Sequence, residues 1–345
     1  MADTARIPQF DGLRALAFMA VFLHHAVHAP LLWMGVDQFF VLSGFLITRN
    51  LLELGSSSTV RSSIVTFYYR RLLRIVPPYY LALTLTFVVT PIALHELGWF
   101  YGFASNVRDA IHNKPIEGPL NPMWSIAVEE QFYLIWPWIV LLAPRHRLRS
   151  VFVAVVVLAF AFRFAFTSVG FHSVYRLVLC RMDQLAAGAL LALASATKPR
   201  FFADNRGRFA AAAVAAIAVF AGLSLALPTF RTSHNDLMFN LFGFGLSTLF
   251  FTAMLGLVAG LGSSGLVAGF LCHPVMRYVG KISYMAYLIH MFAIVTVARL
   301  HLGMLPTATA ALALTIAIAS ASWYAMEAPL SRLRRLVNPK PAGGS

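Results

Sequence analysis

FDGLRALAFMAVFLHHAVH, residues 10–28, holds Arg14 and His25 eleven positions apart within the first apolar run of the chain. A helix turns about 100° and rises about 1.5 Å per residue, so eleven steps return to within roughly 20° of the start and climb about 16 Å. Both side chains therefore share one helix face, separated by roughly half the depth of a bilayer core. Ionisable groups at membrane depth are costly and normally face a protein interior or a wet cavity, which makes this face a candidate functional site.

Composition sets the solvent. Of the 345 residues, 59% are hydrophobic and 12% charged, and the mean hydropathy is +0.74, outside the range of an ordinary soluble domain. The formal net charge of +14 raises the question of nucleic acid, but the cations form short clusters between apolar runs rather than one basic face or tail, so no nucleic-acid partner is expected. Cys180 and Cys272 lie far apart without metal-like spacing, and no metal site is expected.

Windows of about 20 apolar residues fall near 12–29, 35–53, 75–95, 123–143, 150–168, 178–196, 209–227, 237–260, 281–299 and 305–325. They predict an all-α polytopic membrane protein, a bundle of about ten transmembrane helices, because lipid leaves backbone polar groups no outside partner. The stretch 261–271 is read as a re-entrant piece. Alternate loops collect the cations: Arg49, Arg61, Arg70, Arg71 and Arg74, then Arg145, Arg147 and Arg149, then Lys198, Arg200, Arg206 and Arg208, then Arg277 and Lys281. Arg332, Arg334, Arg335 and Lys340 follow in the C-terminal tail. By the positive-inside rule these loops and both termini are cytoplasmic, with Arg14 near that side and His25 towards the opposite one. Asp11, Arg14 and the histidines argue against a cleaved signal, so the first helix is read as retained. The transmembrane domain is placed at 1–335 and a disordered tail, rich in Pro and Gly, at 336–345.

Several blocks recur in a recognisable order. FDGLRALA with Arg14 and His25, GVDQFFVLSGFLIT (35–48), FYYRRLLRIVPPYY (67–80) and MWSIAVEEQFYLIWP (123–137) come first. RMDQLAAG (181–188), GKISYMAYLIH (280–290) and SWYAMEAPLSRLRR (322–335) follow. The ordered set resembles the acyltransferase family 3 integral membrane proteins, Arg14 and His25 matching that family's Arg-x10-His signature. The resemblance implies a membrane O-acyltransferase, commonly an O-acetyltransferase. Such an enzyme takes an acyl group from cytoplasmic acetyl-CoA or another acyl-CoA, the donor substrate, and passes it to a hydroxyl of a carbohydrate, cell-envelope glycan or glycosylated small molecule. The setting it implies is the bacterial inner membrane. No appended esterase-like domain is expected, since the bundle consumes the chain.

Each candidate residue has a functional and a structural reading. His25 is the expected general base, since a neutral imidazole can take the proton of an attacking hydroxyl; the alternative is a hydrogen-bonded structural histidine. Direct transfer and transfer through an acyl-enzyme on His25 both stay open. Arg14 suits the CoA phosphates, or marks a helix end by snorkelling. Arg70, Arg71 and Arg74 form one positive surface, either a phosphate site or an anchor against anionic lipid. Asp37, Glu129 and Glu130 are carboxylates in apolar surroundings that must pair, bond or be protonated. Glu130 or Asp37 is expected to orient His25, the alternative being an ion pair with a membrane arginine such as Arg181. Adjacent glutamates diverge by about 100° on a helix, so at most one faces the His25 cavity. Trp124, Glu129 and Tyr133 are expected on the acceptor side, although interfacial aromatics need no ligand. Ser43 lacks a nucleophile elbow and, with Gly44, reads as a close helix contact. Lys281, Ser283, Tyr284 and His290 form a polar strip that lines a tunnel or bonds neighbouring helices. The competing class is a transporter or flippase, which would move its substrate unchanged; a glycan-deacylating hydrolase is a third.

Overall fold

The computed structural model describes residues 7–90, 94–171, 174–227, 230, 237–262 and 265–336. The chain is an all-α polytopic membrane protein, with no strand among the described residues. The helices run α1 (Gln9–Val27), α2 (Gly35–Ser57), α3 (Val60–Val89), α4 (Leu94–Tyr101), α5 (Ser105–Ile111), α6 (Met123–Leu142), α7 (Leu148–Ser168) and α8 (Val178–Thr197). They continue with α9 (Phe201–Asp204), α10 (Arg206–Ala226), α11 (Phe244–Ala259), α12 (Leu266–Leu271), α13 (Pro274–Ala298), α14 (Met304–Ser322) and α15 (Ala328–Leu336). Wider π turns lead into α11 at Phe239–Gly243 and out of α14 at Trp323–Glu327.

Each of the ten apolar windows falls on a long helix. Eight of these, among the described residues, are long and apolar enough to cross a membrane: α1, α6, α7, α8, α10, α11, α13 and α14. The other two, α2 and α3, have 23 and 30 residues, more than the roughly 20 a span needs, but carry Asp37, Arg49 and Glu53 or Arg61, Arg70, Arg71 and Arg74. Both of these more highly charged helices line the candidate site. Among its described residues the proposed re-entrant stretch contains only α12, six residues long. Between the third and fourth apolar windows the chain forms α4 and α5. Residues 337–345 of the expected tail lie outside the described residues, as do the side chains of Arg334 and Arg335.

Lipid solvation explains the outer surface. On α10 only Ala216 is buried, and Val214, Ile217 and Val219 point outward, an arrangement that water would penalise and hydrocarbon does not. The interior is held by close backbone approaches. A Cβ at Gly44 on α2 would lie 1.9 Å from Leu185 O on α8, and one at Gly188 would lie 2.0 Å from Val41 O. Small residues permit such contacts where no hydrophobic force draws helices together, as the sequence reading of Gly44 expects. Gly280 does the same for α13 against α1, its absent Cβ sited 1.8 Å from Asp11 O.

A methyl group at position 44 has no flexible neighbour to displace. Gly44→Ala is expected to lower stability by about 1–3 kcal/mol or more, the cost of overpacking. Gly222→Ala, with open space around it, should be neutral by the same thermal size-exclusion assay in detergent. Equal midpoints for the two variants would contradict the close α2–α8 contact.

Candidate active site

The basic end of the bundle opens into a cleft of about 1420 Å3. Seven arginines (14, 49, 70, 71, 74, 277 and 332) and Lys281 line it against three carboxylates, Asp11, Glu53 and Glu327. Charges from α1, α2, α3, α13 and α15 converge here, all from segments that the loop pattern assigns to one side. Some of this charge is already paired, since Arg49 donates to Glu53 at 3.0 Å and Arg14 lies 3.5 Å from Asp11. Lys281 sits over the Trp323 ring at 4.4 Å.

Adjoining the cleft inside the bundle is a narrower space of about 80 Å3, the passage. Arg14, Arg71, Arg74 and Tyr284 border both spaces. Farther in, the wall becomes Phe39, Phe40, Ser43, Ser125, Glu129, Tyr133 and Tyr287. Of the paired glutamates it is Glu129 that faces this passage, accepting from Ser43 Oγ at 2.7 Å, with Arg71 stacked 4.2 Å over the neighbouring Tyr133 ring. Glu130 is not among the residues that line the passage, and its Oε1 is buried without a hydrogen-bond partner. The two diverge as adjacent helical residues must.

Beside the inner end lies a pair of imidazoles. His25 Nδ1 is 3.0 Å from Val21 O and 3.2 Å from His290 Nε2. His290 Nδ1 is 2.6 Å from Tyr287 O, and Tyr287, which lines the passage, bonds Ser125 Oγ through its hydroxyl at 2.7 Å. The residue thus connects passage to imidazole pair. His24 is turned off this line, its Nδ1 3.0 Å from Ala29 O.

Neither carboxylate expected to orient His25 bonds to it. Asp37 is fully buried and paired with Arg181, with Ser247 donating to its other oxygen, the ion-pair alternative named from the sequence. Asp37 begins α2, Arg181 begins α8 and Ser247 lies on α11, so one carboxylate ties three helices together. A second buried pair, Arg163 with Asp183 at 3.0 Å, lies alongside.

Trp124 packs edge-on against Phe40 and Tyr175, and the Arg176 guanidinium lies 5.5 Å from its ring centre. Arg176 in turn holds Asp109 and Asn121. Burial pushes the Asp109 carboxyl above its usual range, opposed by the Arg176 charge. On the same loop Arg108 grips Glu96 through two bonds of 3.0 Å, which hold that carboxyl below its usual range. These pairs brace α4 and α5 against the start of α6.

Arg14, Arg71, Arg74, Glu129 and Tyr133 are therefore gathered around the passage, Arg70 is confined to the cleft, and Asp37, Glu130 and Trp124 lie off its line or behind its wall. Sequence reasoning passed over His290 as a partner of His25, although it ends the GKISYMAYLIH block. Arg277 and Arg332, read only as topological charges, join the cleft wall.

Comparison with known proteins places this geometry. A family model described as "Acyltransferase domain" matches residues 7–326. O-acetyltransferase OatA of Staphylococcus aureus strain NCTC 8325 is 27% identical over 94% of this chain and 57% of its own length. Peptidoglycan O-acetyltransferase OatA of Listeria monocytogenes is 36% identical over 152 residues, 38% of this chain and 24% of that protein. The chain spans a little over half the length of the Staphylococcus aureus relative it matches. No solved structure matches it.

Proposed function

The chain belongs to acyltransferase family 3, and from that premise we propose that it is a membrane-bound O-acetyltransferase that carries an acyl group from acyl-CoA to a carbohydrate hydroxyl. The observation that carries the proposal is the graded path itself: a wide basic cleft, a narrow passage bordered by Arg14, Arg71 and Arg74, and an imidazole pair beside its inner end. A CoA molecule has the same plan, a polyanionic nucleotide followed by a thin pantetheine arm ending in the thioester. Guanidinium forks match phosphate oxygens bidentately and keep their charge at any working pH. In this reading the arm follows the roughly 16 Å rise of α1 between Arg14 and His25.

The chemistry is acyl transfer. The acceptor hydroxyl oxygen attacks the thioester carbonyl as His25 Nε2 takes its proton; the C–S bond then breaks and the proton passes to the departing CoA thiolate. Free CoA and an ester are the products, and no other reactant is required. General-base help of this kind contributes about 10²–10⁴-fold. Glu129, bonded to Ser43, lines the donor arm's route and keeps Arg71 and Arg74 company there. We assign both termini and the basic cleft to the cytoplasmic side of a bacterial inner membrane, and His25 to the side from which the glycan arrives. The name of the Listeria monocytogenes relative makes peptidoglycan the first acceptor to test.

The donor site is tested with purified protein in liposomes, by acetyl-CoA binding and CoA release. Arg14→Ala and Arg71→Ala each remove a charge-assisted contact of about 1.5–3 kcal/mol, so each should weaken acetyl-CoA binding about ten- to hundredfold, and raised salt should weaken the wild type. Unchanged binding in both variants would remove the donor role from the cleft. Substrate carried across the bilayer unchanged, without CoA release, would make the protein a transporter.

A further inference from the structure

We infer that His290 is a positioning residue: it fixes which nitrogen of His25 is free to act and shares the positive charge when that nitrogen is protonated. The inference rests on the reading of His25 as the base and adds what aims it. A backbone carbonyl can only accept, so the 2.6 Å contact from His290 Nδ1 to Tyr287 O requires the hydrogen to sit on Nδ1. A neutral imidazole has one N–H, which leaves His290 Nε2 a lone pair. That lone pair faces His25 Nδ1 at 3.2 Å, and Val21 O faces the same atom at 3.0 Å. Both partners of His25 Nδ1 are acceptors, so Nδ1 carries the hydrogen and Nε2 is the basic atom.

The arrangement replaces the carboxylate expected from the sequence. Among the described residues the two rings bond only to Val21 O, Tyr287 O and each other. The nearest other chargeable ring is that of His24, 4.9 Å from the ring of His25, and it brings no negative charge. Two acceptors on one N–H are then the local source of stabilisation for the imidazolium formed during transfer, as a hydrogen-bonded partner supplies in a Ser-His-Asp triad. His290 is placed rigidly enough for this. Its side chain is fully buried, its own bond is to the backbone one turn back, and the Gly280 contact sets the height of α13 against α1.

The experiment compares His290→Leu, His290→Gln and His25→Ala with wild type in liposomes. CoA release from acetyl-CoA is followed in the presence of a crude cell-envelope glycan extract, with acetyl-CoA binding measured separately. His290→Leu keeps bulk but removes the acceptor, and kcat should fall about ten- to hundredfold, the range seen when a ligand's outer partner is removed. KM for acetyl-CoA should stay within about twofold. His290→Gln returns an acceptor oxygen near the position of Nε2 and should recover kcat to within a few-fold of wild type. Full activity in His290→Leu with none in His25→Ala overturns the inference and leaves the base intact. Activity in His25→Ala removes both, as does a wild type that never releases CoA. A folded His290→Gln protein that binds acetyl-CoA but turns over about ten- to hundredfold more slowly than wild type also overturns it; this arm is read against wild type and decides even if the leucine variant fails to fold.

Discussion

Replacement of His25 by alanine is expected to cut CoA release by about 10²–10⁴-fold, the contribution of a positioned general base, while acetyl-CoA binding stays within about twofold of wild type. The separation follows from where the two functions sit. The arginines that border the cleft lie on α1, α2, α3, α13 and α15, and Arg14 is eleven residues before His25 on the same helix. His25 is only half-buried and bonds through Nδ1, so truncating it leaves the cleft wall untouched. His24→Ala is the matching control: its ring is turned towards Ala29 O, and it should retain most activity. Loss of binding in His25→Ala together with loss of turnover would mean that the imidazole holds the donor rather than the proton, and the division of labour along α1 would fall.

The second large effect is on stability. Asp37→Leu is expected to destabilise the bundle by about 3–5 kcal/mol, because it leaves the Arg181 guanidinium buried without its counter-charge. Arg181 is fully buried and already has Nε and Nη1 without hydrogen-bond partners, so Asp37 is its main compensation. The double replacement Asp37→Leu with Arg181→Met removes both charges and should regain most of that loss, since apolar residues of similar volume often equal or exceed a buried pair. Thermal midpoints in detergent give the stability, and CoA release gives the role. If the double variant regains stability and turns over, Asp37 is a strut between α2, α8 and α11. If it is stable and inactive, Asp37 acts in the reaction and the contact with Arg181 is secondary.

The parts of this protein that could be read from sequence are those that depend on one helix at a time. Apolar length placed all ten long helices, and the eleven-residue interval put Arg14 and His25 on one face because both lie within α1. The 100° step between Glu129 and Glu130 likewise told that one of them would turn away, but not which. That choice depends on how α6 is rotated against α2 and α3, through Ser43 and Arg71. His290 was hidden for the same reason: 265 positions separate it from His25, and nothing local in GKISYMAYLIH shows that α13 lies beside α1. Asp37 was legible as a group needing a partner but not as belonging to Arg181, since a carboxylate in an apolar run states a need and leaves open who meets it. The arginines of the loops were legible as topology, and only their convergence from five helices turns them into a cleft.

The narrowness of the inner passage has an electrical meaning. A water-filled pore through the bundle would conduct ions and dissipate whatever gradient the membrane maintains. Here the wide space ends in a constriction of about 80 Å3 walled partly by Phe39, Phe40 and Tyr287, room for no more than a handful of waters. Where the wall is aromatic, a hydrated ion would shed water that the rings cannot replace. A space of that size is matched to a long thin molecule and poorly matched to a stream of hydrated ions.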